Sequence, residues 1–266
     1  MTTDAPAPAV LSTLDEGICT LTLNQPGKRN ALTTEIRLRL TELVQQARDD
    51  ANIRVVVLRG AGGAFCSGGD VDAMLDGALN GPGWRSRIRK QREWLDMLIE
   101  LEKPVIAAVD GPAYGAGFGL ALAADFILAT RRARFCAVFG RVGLAPDLGT
   151  MYLLPRIVGR QRAKEIVFTT RVIHATEARE LGLAFQVLED GNALDQAARD
   201  LALRLCATSP VAFGVTKNIM NQSFELDAGA MADLEAYAQA VCHDTDYHLD
   251  ALQRLRDKQT LRLSWD

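Results

Sequence analysis

The chain has 266 residues, a length that suits one large domain or two modest ones. Apolar residues make up 48% of it and charged residues 24%, an ordinary globular balance that excludes disordered and low-complexity classes. A formal charge of −3 offers no global attraction to nucleic acid or an anionic membrane, and no apolar run approaches the roughly 20 residues of a membrane span.

In chain order, the opening MTTDAPAPAV carries neither a basic nor a long apolar segment, so residues 1–12 are expected to be a flexible tail on a cytoplasmic protein. Strands are expected at Ile18–Leu23, 53–59, 105–110, Phe126–Thr130 and 184–188. The first alternates apolar with polar residues, as an antiparallel or edge strand would; the second and third are continuously apolar, as strands covered on both faces would be. Helical periodicity fills the intervals. Residues 33–50 open on two threonines and align Ile36, Leu40, Leu43 and Ala47 on one stripe, and Trp94, Leu95, Leu98 and Leu101 form a second stripe ended by Pro104. Strand–helix alternation predicts an α/β body with crossover connections. Beyond about residue 192 the segments 192–207, 210–222, 228–241 and 244–258 all read as helix. The expected division is therefore a 13–200 α/β domain and a 201–266 helical region that packs on the body or on another subunit. Cys19, Cys66, Cys136, Cys206 and Cys242 are odd in number and contain no C-x-x-C pair, which excludes a disulfide framework and a zinc ribbon.

Two glycine-rich segments follow apolar strands: RGAGGAFCSGGD at 59–70 and DGPAYGAGFG at 110–119. Glycine lets main chain approach a ligand closely, and a helix start adds unpaired amides. The second segment is not a dinucleotide loop, because after Gly115 and Gly117 the next required glycine is Leu120; no Gly-Lys-Ser/Thr phosphate loop is present. Close helix–strand packing and an anion-stabilising main-chain pocket both remain open for it.

The pieces NQPGKRNAL (24–32), VVLRGAGGAFCSGGDV (56–71), KPVIAAVDGPAYGAGFGLALAADF (103–126), GLAPDLGTMYLLPRIVG (143–159) and TEARELGL (176–183) together resemble the crotonase superfamily, the enoyl-CoA hydratases and isomerases. The resemblance implies a spiral of β-β-α turns with a C-terminal helical trimerisation region, assembled as a trimer or a dimer of trimers. It implies an acyl-CoA substrate, coenzyme A entering as part of that substrate, with no permanently bound cofactor and no metal. It places the thioester carbonyl between two main-chain N–H groups, at Ser67 and Ala116, and makes Ser67, Gly68, Gly69, Asp70, Gly115 and Gly117 residues that bind the CoA ester. Fixed amide dipoles of this kind hold enolate charge without proton exchange.

Typical hydratases of this family use two glutamates. Their counterparts here are Gly119 and Phe139, seven residues before Pro146, and neither can move a proton. Asp147, in GLAPDLG, stands where many hydratases carry glycine. Relatives with aspartate there include enoyl-CoA isomerases, one type acting on phenylacetate-derived CoA esters, and a dehalogenase branch. The expected activity is a double-bond shift with Asp147 as proton shuttle, enclosed by Phe118, Phe139, Leu144 and Leu148 so that its pKa rises. Competing readings are hydration, hydrolysis or dehalogenation through Asp147, an acyl-CoA-binding subunit without catalysis, and a helix-capping Asp147.

Among other candidates, Asp70 is expected to order its loop, Asp125 to be structural, and Cys66 to be a small buried residue. His174, His243 and His248 form no ligand cluster. Lys28 and Arg29 match the segment that meets the nucleotide end of CoA, and Lys258 matches a lysine that reaches a neighbouring subunit's CoA, although Leu255 replaces the accompanying aromatic residue. RSRIRKQR at 85–92 reads first as a solvated helix face, with CoA phosphates or an acidic subunit as alternative partners, and Trp84 and Trp94 beside it as core residues.

Overall fold

The apolar runs of the sequence become strands whose two faces enter different layers. In the computed structural model, which describes residues 7–77 and 79–263, the strands are β1 (Val10–Asp15), β2 (Ile18–Leu23), β3 (Val55–Gly60), β4 (Val105–Val109), β5 (Pro112–Tyr114), β6 (Phe126–Thr130), β7 (Arg134–Cys136), β8 (Ile173–His174) and β9 (Gln186–Leu188). The main sheet has the order β1-β2-β3-β4-β6-β9, antiparallel at β1–β2 and parallel elsewhere. A second, small sheet has the order β5-β7-β8.

The helices are α1 (Thr34–Asp49), α2 (Val71–Leu75), α3 (Gly81–Ile99), α4 (Ala116–Leu122), α5 (Thr150–Val158), α6 (Arg160–Thr169), α7 (Ala175–Glu180), α8 (Gly191–Cys206), α9 (Pro210–Asn221), α10 (Ala228–His243) and α11 (Asp246–Arg256). Thr33 caps α1, its hydroxyl accepting from the Ile36 amide, and the Ile36, Leu40, Leu43, Ala47 stripe is buried as the spacing predicts. The stripe of Trp94, Leu95, Leu98 and Leu101 is buried beside it.

Period-two alternation sorts the sheet residues. Leu21, Val56, Leu58, Ala107 and Val109 join the large core with α1, α3 and α4, whereas Val55, Val57, Ile106, Ala108 and Leu128 face Leu194, Ala198, Leu201, Ala202 and Leu205 of α8. Residue 200 therefore falls inside a helix that packs across β2, β3, β4, β6 and β9 on one face of the body sheet. Burying a leucine contributes about 1.5–3 kcal/mol, so the three buried leucines of α8, Leu194, Leu201 and Leu205, hold it to the sheet. The helices after it are different: α9 is tethered by the buried Lys217–Asp125 pair, 2.8 Å, while α10 and α11 have no buried residue.

Residues 1–6 of the expected tail lie outside the described ones, and from Val10 the chain is strand. Residues 10–12 carry no apolar-face signal because only Val10 of β1 is buried. The β1–β2 turn uses Glu16 and Gly17, both at positive φ (48° and 82°), the twist that a two-residue hairpin turn favours.

Candidate active site

Both glycine-rich segments leave the same end of the parallel sheet, after β3 and β4, and then pair with each other. The Phe65 and Cys66 amides donate to Pro112 O (3.1 and 3.0 Å), and the Tyr114 amide donates to Cys66 O at 2.9 Å. The approach is too close for side chains. A Cβ on Gly117 would lie 2.2 Å from Cys66 O, and one on Gly68, whose φ is +103°, would lie 2.8 Å from Tyr114 O and 3.5 Å from Ala116 N.

These contacts decide which amides are free. Ala116 is the first residue of α4, after Gly115 at φ 53°, and its N–H has no acceptor among the described residues. In the first loop the Ser67 amide donates to Arg29 O at 3.0 Å and the Ser67 hydroxyl to Lys28 O at 3.2 Å. The expected donor at Ser67 is thus already engaged and has to be replaced. The Gly68 amide serves the Cys66 sulfur, and the Gly69 amide beside it has no acceptor among the described residues. The resemblance placed the donor two residues earlier; the signal for Gly69 was the SGGD run itself, where only glycine leaves main chain uncovered.

Asp147 lies in the turn that leads into α5. The helix-capping alternative fails: the cap of α5 is Gly149, and no side chain accepts from its first amides. Asp147 is largely withdrawn from water, and its Oδ1 is buried without a partner. Burial pushes its carboxyl above the ordinary carboxylate range, opposed by its own main-chain amide and by the Arg87 guanidinium. Phe118, Phe139 and Leu148 are buried as expected, but Leu144 is exposed and takes no part in an enclosure. Leu148 has φ +45°, uncommon for a leucine, and Gly149 has φ +75°. That bent turn fills the space beside Gly119, where a Cβ would lie 2.4 Å from Leu148 O and 2.9 Å from Thr150 Oγ1. Glycine at 119 is therefore the partner of the Asp147 turn, and a longer side chain there would collide with it.

Asp70 is also nearly buried, but Lys28 Nζ approaches it at 3.6 Å and Asp72 at 3.2 Å, and both acids hold the Lys28 ammonium above its usual range. Arg29 and Lys258 are exposed and at positive φ. Cys66 is fully buried, and burial pushes its thiol up to about 12, so it is no nucleophile at neutral pH. Asp125 accepts from the Val105 amide at 2.7 Å and from Lys217, a structural pairing. The His243 and His248 rings meet at a tilt of 43° with centroids 4.9 Å apart, and no cluster able to hold a metal exists among the described residues. The basic run divides: Arg85, Arg89 and Lys90 are exposed and Arg92 pairs with Asp96, but Arg87 shares the inward stripe with Trp84, Ile88 and Trp94.

The sequence model of the family described as enoyl-CoA hydratase/isomerase matches residues 13–260. The chain belongs to that family. It is 35% identical over 241 residues to the 1,2-epoxyphenylacetyl-CoA isomerase of Escherichia coli (90% of this chain, 92% of that one). It is 32% identical to the mitochondrial methylglutaconyl-CoA hydratase of Mus musculus (93% and 80%). The crystal structure of an enoyl-CoA hydratase/isomerase from Cupriavidus metallidurans superimposes with a TM-score of 0.92 at 40% identity, covering 96% of both chains. As a member of the enoyl-CoA hydratase/isomerase family the chain has the crotonase fold, and the family acts on acyl-CoA substrates. No described helix is long and apolar enough to cross a membrane.

Proposed function

We propose that this protein is an enoyl-CoA isomerase in which Asp147 carries the proton and the Gly69 and Ala116 amides hold the thioester oxygen. The observation that carries the reading is a buried carboxylate oxygen without a partner, in a turn packed against the start of α4, with no second acid at 119 or 139. Asp147 takes a proton from C2 of a 3-enoyl thioester. The electron pair moves onto the carbonyl oxygen, and one amide donor there is worth about 3 kcal/mol of barrier. The C3–C4 double bond shifts to C2–C3 as Asp147 returns the proton to C4, leaving composition and oxidation state unchanged. Burial raises the acid's pKa and so suits one group to both transfers. Lys28, Arg29 and Lys258 are proposed contacts of the CoA phosphates. The exposed Tyr237, Val241, Leu249, Leu252 and Leu255 of α10 and α11 support assembly as trimers.

The test is incubation of the purified protein with 2-enoyl-CoA and 3-enoyl-CoA in parallel, read by mass spectrometry and ultraviolet absorbance. Isomerisation conserves mass and moves the double bond. A gain of one water would make the protein a hydratase working through Asp147, and loss of free CoA from the thioester would make it a hydrolase. A protein that binds both and changes neither would be the non-catalytic subunit.

A further inference from the structure

Most arginines near the carboxylates of this surface are neutralised by them; two beside the proposed site are not. Arg87 Nε is buried and has no acceptor, and its guanidinium lies 4.7 Å from the centre of the Trp84 ring, which fixes its plane. Arg37 is held by hydrogen bonds to Leu32 O at 2.5 Å and Thr34 Oγ1 at 2.9 Å at the start of α1, and Leu32 bridges to Gly69 of the first loop. Neither guanidinium has a carboxylate within ion-pair distance among the described residues, although Asp70 and Asp147 are both close enough for Arg87 to feel their charge. The two also repel each other: burial and then Arg87 lower the Arg37 pKa to about 10. Two half-buried like charges, one with an orphaned donor, are stable together only at a cost that a bound anion would offset.

The position narrows what that anion is. The thioester carbonyl, on the reading above, sits at the Gly69 and Ala116 amides, and Asp147 faces the carbons next to it. Arg87 feels the charge of both Asp70, at the end of the first loop, and Asp147, and on that reading this sets it beside the acyl carbons rather than the phosphates. An arginine that offers Nε and Nη together fits the two oxygens of a carboxylate side-on.

We infer that Arg87, backed by Arg37, forms an anion subsite at the acyl end of the pocket and selects acyl-CoA substrates that carry a carboxylate on the acyl chain. This inference rests on the proposed placement of the thioester. It makes Arg87 a specificity residue and leaves the proton transfer to Asp147.

The experiment compares a 3-enoyl-CoA ending in a carboxylate with its chain-matched analogue ending in a methyl group, in wild type, Arg87→Met and Arg87→Lys. Wild type is expected to favour the carboxylate in kcat/KM by roughly 10- to 100-fold, carried mainly by KM. Arg87→Met is expected to bring that ratio close to one, and Arg87→Lys to leave an intermediate value. A wild-type ratio near or below one overturns the subsite and needs no variant. A ratio unchanged in Arg87→Met also overturns it, and so does an equal loss of affinity for free CoA in that variant, which would make Arg87 a phosphate contact. Calorimetry with the two saturated acyl-CoA esters on the Asp147→Asn protein separates the two readings. Preference for the carboxylate ester there sustains the subsite even if Asp147 proves not to shuttle protons; equal affinities reject the subsite even if isomerisation is confirmed.

Discussion

Two acids flank the glycine-rich loops, and their surroundings differ in kind. Asp70, at the end of the first loop, is met by Lys28 in a segment that folds back over the loop and hydrogen-bonds Ser67. Asp147, at the edge of the second, has one buried oxygen with no partner and sits before a leucine bent to φ +45°. A paired carboxylate stiffens a loop. A carboxylate oxygen left without a partner stays open to a proton, so the comparison teaches that the acid proposed to carry the proton is the one the fold leaves unsatisfied.

Removing that acid is the largest test of the contrast. Asp147→Asn is expected to lower kcat by about 10²- to 10⁴-fold while the affinity for a saturated acyl-CoA, measured by calorimetry, changes little. Next comes the turn that carries it. Gly119→Glu places a Cβ 2.4 Å from Leu148 O, so the turn has to shift. Overpacking of this kind costs about 1–3 kcal/mol of stability, and turnover is expected to fall without any hydrated product appearing by mass. Retained turnover together with new hydration would show that the site tolerates a second acid after all.

Asp70→Asn should act more weakly than either. It frees Lys28 from one of its two acids, so KM for the CoA ester is expected to move more than kcat. A loss of kcat as deep as that of Asp147→Asn would erase the distinction between the two acids. The smallest effect is in pH dependence. With the folded pKa of Asp147 raised, the native state binds more protons than the unfolded chain between the two values, so its burial lowers stability as pH rises through that window. The penalty is complete above the folded pKa and absent below the usual carboxylate value. Asp147→Asn should therefore raise the melting temperature at neutral pH and leave it unchanged in strong acid, and the acidic limb of the wild-type kcat profile should lie above the usual carboxylate range.

Much of this was legible in one dimension. Ile18–Leu23 and Phe126–Thr130 are strands with the expected bounds, and the Thr33 cap and the Ile36–Ala47 stripe follow from spacing alone. The short strands β5, β7 and β8, of three, three and two residues, were not legible, because so few residues show no period. Nor was the fate of the segment 192–207, whose stripe says that it packs but not on what; the free face of the sheet took it.

By itself the sequence determined which segments the proposed chemistry rests on: two glycine runs after apolar strands, an aspartate in GLAPDLG, and no acid at 119 or 139. Those are properties of residue type and spacing, which no packing can change. Only the tertiary structure decided which amide is free, engaging the one at Ser67 and leaving the one at Gly69 open, and only it turned Arg87 inward from a run of exposed cations. Whether a donor or a charge is already satisfied depends on partners distant in the chain, here Arg29 for the Ser67 amide and Trp84, Arg37 and Asp147 around Arg87, and their distances exist only once the chain is folded.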